Sequence, residues 1–129
     1  GWSVRCDARG CAVEQVGVGA AKKTLLRIEP LAEKNARIVF ERPDLPRTGM
    51  LSIFIDGEQI TGGPIDAVRD RSASRLVFEP DDITAGLIRK MQDKQHMVLS
   101  FPGEDRGVEF MLAGFGAILQ SARSKPVPN

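Results

Sequence analysis

Apolar and polar residues alternate along most of this chain with the period of two that marks half-buried strands. Val4 and Cys6 alternate with Ser3 and Arg5, and Cys11-Ala12-Val13 reads as the return strand. Further strands are predicted over 22–29 (KKTLLRIE), 36–40 (ARIVF), 50–55 (MLSIFI), 76–79 (LVFE), 96–101 (HMVLSF) and 108–112 (VEFML). Residues 60–68 read as a strand broken by Gly62-Gly63-Pro64, because glycine weakens a strand and proline cannot donate to the ladder. Turn signals separate these runs. Asp56-Gly57 is a strong hairpin signal, Pro102–Gly107 reads as a turn, and residues 41–49 form a loop with two prolines.

The period changes to the helical one only in the last third of the chain. Pro80-Asp81-Asp82 announces a helix, with an aspartate at the N-cap and both acids favoured at the positive helix end. Ile83, Leu87 and Met91 follow at i, i+4 and i+8 with Ile88 beside them, which predicts one buried stripe. Arg89, Lys90 and Lys94 come late, where cations suit the dipole. Residues 114–123 predict a second helix with Phe115, Ile118, Leu119 and Ala122 on one face. About nine short strands and two short helices predict an all-β fold, a sandwich or barrel whose helices plug an end or a crossover. Helices confined to the last third argue against a doubly wound α/β fold. A single domain is expected over residues 1–123, with 124–129 a polar, proline-bearing tail that frays.

Composition narrows the function more than the fold. The chain has 129 residues, 42% hydrophobic and 27% charged, with 18 basic and 17 acidic residues. These are values of an ordinary globular domain. A balanced charge gives no basic stripe for nucleic acid or for a membrane surface. No apolar run approaches the roughly 20 residues that span a bilayer, so no transmembrane segment is expected. Tyrosine is absent and aromatics are 5%, which leaves little for stacking sugars or bases. The chain opens directly on Gly1-Trp2 without a signal-peptide pattern, which we read as a trimmed or processed start.

Cys6 and Cys11 are the only cysteines. Asp7 and Gly10 suit the ends of a four-residue turn, aspartate for local hydrogen bonding and glycine for positive φ. Such a hairpin sets the two cysteines opposite each other, close enough for a disulfide. Inert thiols, a metal site or a reactive thiol are the weaker alternatives. Zinc wants four ligands and the chain has one histidine, while a redox pair favours C-x-x-C at a helix start. A disulfide implies an oxidising compartment.

The opening Trp2-Ser3-Val4-Arg5-Cys6, with Cys11 after it, resembles that of the invasion-associated locus B family. The segment LVFEPDDITAGLIRKMQDKQHMVLSF (76–101) followed by GVEFMLAGF (107–115) resembles the end of that family, where a strand runs into a Gly-Phe that opens the last helix. Met50–Ile60 resembles its apolar strand, Asp-Gly and short strand. The likeness covers nearly the whole chain through the order and spacing of these motifs. One departure is clear: many members carry a second cysteine pair where this chain has PIDAVRDRSASRL (64–76). The resemblance implies an immunoglobulin-like β-sandwich exported to the bacterial periplasm or envelope, in a family named for a locus linked to host-cell entry. It carries over no catalytic residue and implies no cofactor or metal.

Other residue groups are weaker candidates. His96, Met97 and Met91 suit copper in ligand type, but neighbouring strand residues point to opposite faces, so the methionines are expected in the core. Asp81-Asp82 and Glu104-Asp105 are acidic pairs expected to be solvated, and Ser72 and Ser74 lack a local base. Arg69, Arg71 and Arg75 form a local basic patch that could grip an anionic partner, against a plain reading as a solvated loop. The loop 41–49 is a possible contact surface or a simple crossing between sheets. The expected function is a non-catalytic exported protein that binds a protein or other envelope component. A periplasmic small-ligand or metal-binding module is the alternative.

Overall fold

The computed structural model describes residues 1–20, 22–30, 35–68 and 70–124. Its strands are β1 (Ser3–Asp7), β2 (Gly10–Val16), β3 (Leu25–Pro30), β4 (Ala36–Glu41), β5 (Met50–Ile55), β6 (Glu58–Pro64), β7 (Asp70–Arg71), β8 (Arg75–Phe78), β9 (His96–Ser100) and β10 (Val108–Met111). The helices are α1 (Asp82–Asp93) and α2 (Phe115–Ser124). A six-stranded sheet runs β1-β2-β3-β4-β8-β7 and a four-stranded sheet runs β10-β9-β5-β6. Every pairing is antiparallel. From β3 onward the order is A-B-E-D in one sheet and G-F-C-C′ in the other, the immunoglobulin-like arrangement. The β1–β2 hairpin extends the first sheet beyond its A strand.

Alternation within each strand builds the core. In the first sheet Leu26 faces Phe40, which faces Leu76, and Ile28 faces Ile38, which faces Phe78. In the second, Ile53 faces Leu99 and Leu99 faces Val108, while Ile55 faces Met97 and Met97 faces Phe110. These rows form one apolar cluster, all buried except Phe78, which packs against it half-exposed. Phe40 and Phe110 touch across the sandwich with ring centroids 6.2 Å apart. The hairpin overhangs the second sheet, and α2 supplies its missing layer. Phe115, Leu119 and Ala122 are buried, and the Trp2 and Phe115 rings lie 4.9 Å apart.

The opposite face of the first sheet carries charge in alternation. Glu14 faces Arg27, Arg27 faces Val39, and Val39 faces Val77. Arg27 is paired with Glu14, Glu29 and Glu41, and Arg37 with Glu29 and Glu79. Long charged stems lie over the buried Val39 and Val77.

Four expectations need correction. The Gly62-Gly63-Pro64 stretch does not break β6, which runs through both glycines to Pro64 before a 3₁₀ turn at Ile65–Ala67. A tenth strand, β7, pairs with β8 where only loop was expected. In α1 the buried residues are Thr84, Leu87, Ile88 and Met91, while Ile83 is 67% exposed. The cap itself is as read: Asp81 accepts from the Thr84 N–H at 2.8 Å. Ile83 sits in the first turn, before the helix reaches the sandwich. Finally, Ser124 belongs to α2 and its hydroxyl donates to the Gln120 carbonyl; 125–129 lie outside the described residues.

Candidate binding surface

The amino-terminal pair is a disulfide between facing residues of β1 and β2, with Cα atoms 3.9 Å apart. The turn behaves as its residues require. The Arg9 N–H donates to Asp7 Oδ1 at 2.8 Å, which holds the Asp7 carboxyl below its usual range, and Gly10 takes φ of 137°.

The two described arginines of the basic patch do not share one surface. Arg69 lies outside the described residues. Arg71 stands opposite Leu76, and Arg75 opposite Glu41, so the pleat sends the two to opposite faces. Arg75 is 4.0 Å from the Glu41 carboxylate. Met91 and Met97 are buried in the core while His96 is exposed on the other face of β9. Among the described residues no group of three or more His, Cys, Asp or Glu side chains is placed to hold a metal ion. Ser72 and Ser74 form a turn in which the Ser74 N–H donates to Ser72 Oγ.

The loop 41–49 crosses between the sheets and is tied down. Arg42 and Leu45 donate backbone bonds to the Ser74 and Ala73 carbonyls. The Arg42 side chain is buried, stacks 4.1 Å from the Phe101 ring centre and holds both oxygens of Glu104, one at 2.9 Å. That guanidinium keeps the Glu104 carboxyl below its ordinary value. One half of an acidic pair expected to be solvated is therefore half of a clamp.

The concave site lies elsewhere, between β6, β8 and the start of α1. Leu51, Ile53, Pro64, Val68, Phe78 and Ile83 line a cavity of about 340 Å³. Its origin is local. Gly63 faces Leu51 across the β5–β6 ladder, and a Cβ added there would meet open space. Asp70, Glu79 and Asp81 also line this cavity, and no described cation does. A second depression adjoins it through Thr61 and Ile83 and continues along α1 past Ile60, Leu87, Arg89, Lys90 and Lys94. Ile60 reaches this trough because a bulge opposite Ile53–Phe54 leaves it out of the pairing. The two depressions form a groove between the edge of β6 and α1, apolar along its floor, anionic at one end and mixed at the other, where Arg89, Lys90 and Lys94 stand with Asp82 and Asp93.

Sequence reading missed this groove. Its signals were present, a glycine pair beside a proline and an isoleucine in the first turn of a helix. Each was absorbed into a reading of strand breakage or of core.

The fold has a solved counterpart. The crystal structure of invasion associated protein B from Bartonella henselae matches with a TM-score of 0.69, covering 95% of this chain and 92% of that one at 14% identity. At that identity the likeness is one of fold, and it agrees with the sandwich that the sequence resemblance implies. No protein-family model matches the sequence, and no curated protein does. No helix among the described residues is long and apolar enough to cross a membrane.

Proposed function

We propose that this chain is an exported, non-catalytic module of the bacterial periplasm that works by binding a protein or other envelope component. The observation that carries this reading is end-to-end likeness of fold to invasion associated protein B, joined to a disulfide that closes the amino-terminal hairpin. The bond favours an oxidising compartment, and an association with host-cell entry is the role the relative's name suggests. The open groove beside β6 supports binding as the activity.

Cell fractionation with thiol trapping tests export. The protein is expected in the periplasmic fraction with Cys6 and Cys11 protected from alkylation until reductant is added. Formaldehyde cross-linking in cells tests binding and is expected to give a reproducible adduct of defined mass. A cytoplasmic protein with both thiols free, or one that never cross-links, would overturn the proposal.

The 340 Å³ cavity favours a second reading, a small-ligand module, since it falls within the range of ligand pockets. Native mass spectrometry of protein purified from the envelope is expected to show a bound apolar compound if this reading holds. The groove's length and its unpaired strand edge favour a polymer over a small molecule.

A further inference from the structure

The sandwich treats its sheet edges unequally. The outer edge of β10 is covered: Val18 and Glu109 exchange backbone bonds at 2.9 and 2.8 Å, and the Gln15 amide pairs with both backbone groups of Met111. β7 is two residues long. β1 carries Arg5 and Asp7 and is cross-linked to β2. β6 is different. It is a seven-residue edge strand with one charged residue, Glu58, and no strand beside it among the described residues; its bulge at Ile60 and its proline at the last position, Pro64, leave Thr61–Gly63 as an uninterrupted open stretch. Long uncharged edges are templates for pairing, and natural sheets usually blunt them.

We propose that β6 is a docking edge for an extended peptide segment of a partner protein, which adds as a fifth strand to the second sheet. This rests on the binding function proposed above and gives it a site. Main-chain bonds to β6 would supply affinity, and side chains at alternate positions would enter the groove. The residues lining the groove define the partner. An apolar side chain fits the space left by Gly63, over Leu51, Ile53 and Phe78. A second one fits against Ile60, Ile83 and Leu87. Ile83, 67% exposed on the groove rim, gains cover from such a segment.

Charge sets the direction. Asp70, Glu79 and Asp81 lie at the Pro64 end with no cation among the described residues of the lining, Glu79 pairing with Arg37 outside it and Asp81 capping α1. Arg89, Lys90 and Lys94 lie at the other end with Asp82 and Asp93, and none of the three cations is in an ion pair among the described residues. In the commoner antiparallel pairing the segment enters with a basic residue near its amino end and leaves with an acidic residue near its carboxyl end. At about 3.4 Å per residue, six or seven residues match the edge.

Selection from a displayed library of random nine-residue peptides tests this, with the intact, disulfide-bonded protein as bait. Enriched peptides are expected to alternate apolar residues between a basic start and an acidic end. Fluorescence anisotropy with a labelled enriched peptide should show at least tenfold weaker binding to Ile83→Glu, an exposed position whose change leaves the fold intact, and to Gly63→Val. Methylating the backbone nitrogens of one alternate set in that peptide should abolish binding, and methylating the other set should not. No enrichment, binding indifferent to both variants, or binding that survives methylation of each set in turn overturns the proposal. A concentration-dependent dimer lost in Ile83→Glu would assign the edge to a second copy of this chain and also overturn it. If an envelope partner cross-links in cells while the selection stays blank, the function stands and this site falls. A cytoplasmic, reduced protein removes the function whatever the groove binds.

Discussion

At the scale of single residues, the Cys6–Cys11 bridge joins facing positions of one hairpin. Asp7, Gly10 and the facing cysteines are separated by a few positions, so turn rules alone placed them. Their bond closes a short loop and is expected to contribute about 2 kcal/mol on the chain-entropy account. A Cys6→Ser, Cys11→Ser protein should unfold at correspondingly lower urea, and reductant should shift the parent by the same amount without shifting the variant. The Arg42–Glu104 clamp spans 62 positions, and nothing in either neighbourhood announces it. Arg42 holds the Glu104 pKa below its ordinary 4.5, so the pair stabilises the fold above that unfolded-state value. The stabilisation is lost as pH falls through the lower folded-state pKa. Glu104→Gln is expected to cost about 1.5 kcal/mol at pH 7, the scale of a hydrogen bond to a charged group. The difference from the parent should shrink toward zero in denaturation curves taken progressively below pH 4.5. A difference that persists unchanged in acid would mean that the carboxylate's charge is not what holds Arg42.

At the scale of elements, alternation found nine of the ten strands because each buries one face, and a period of two survives any sheet order. It missed β7, whose two residues are too few to show a period. It also placed Ile83 in the core, because helical spacing cannot tell where a helix first meets its sheet. The partner of each element was illegible for the same reason. Nothing in residues 1–16 shows that α2, at the far end of the chain, covers their hairpin. That docking makes a sharp prediction. Phe115 is fully buried against Trp2, so Phe115→Ala should destabilise by about 4 kcal/mol, the range for truncating a buried phenylalanine. Loss should begin at one end of the molecule. Trp2 fluorescence should change, and hydrogen exchange should rise in β1 and β2 before it rises in β5 and β9, whose layers lie on Phe40 and Phe110. Uniform acceleration across both sheets would show that α2 and the hairpin are not a separable unit.

At the scale of the whole molecule, the core and the groove follow from the same packing of two sheets, and only the core is written into the pattern. Apolar rows demand burial wherever the strands end up. A groove is a place where burial is incomplete, and that depends on which strands become edges. Gly63 joins the two. Within a strand, glycine costs roughly 0.5–1 kcal/mol relative to alanine because it loses more freedom on folding and packs nothing. Here an added Cβ would meet no atom within 4 Å and would point toward the cavity, which leaves room for a larger residue. Gly63→Val should therefore raise stability by about 1 kcal/mol, combining the backbone term with strand preference for a β-branched residue. The same change fills the cavity and should weaken peptide binding at least tenfold. Urea denaturation and anisotropy on one preparation measure both effects. Stability gained while binding is lost would identify Gly63 as a residue that keeps the site open at the expense of the fold, a trade-off common where a protein must bind. A destabilised Gly63→Val protein would show instead that the space beside β6 is not free to be filled, and that the glycine serves the sheet.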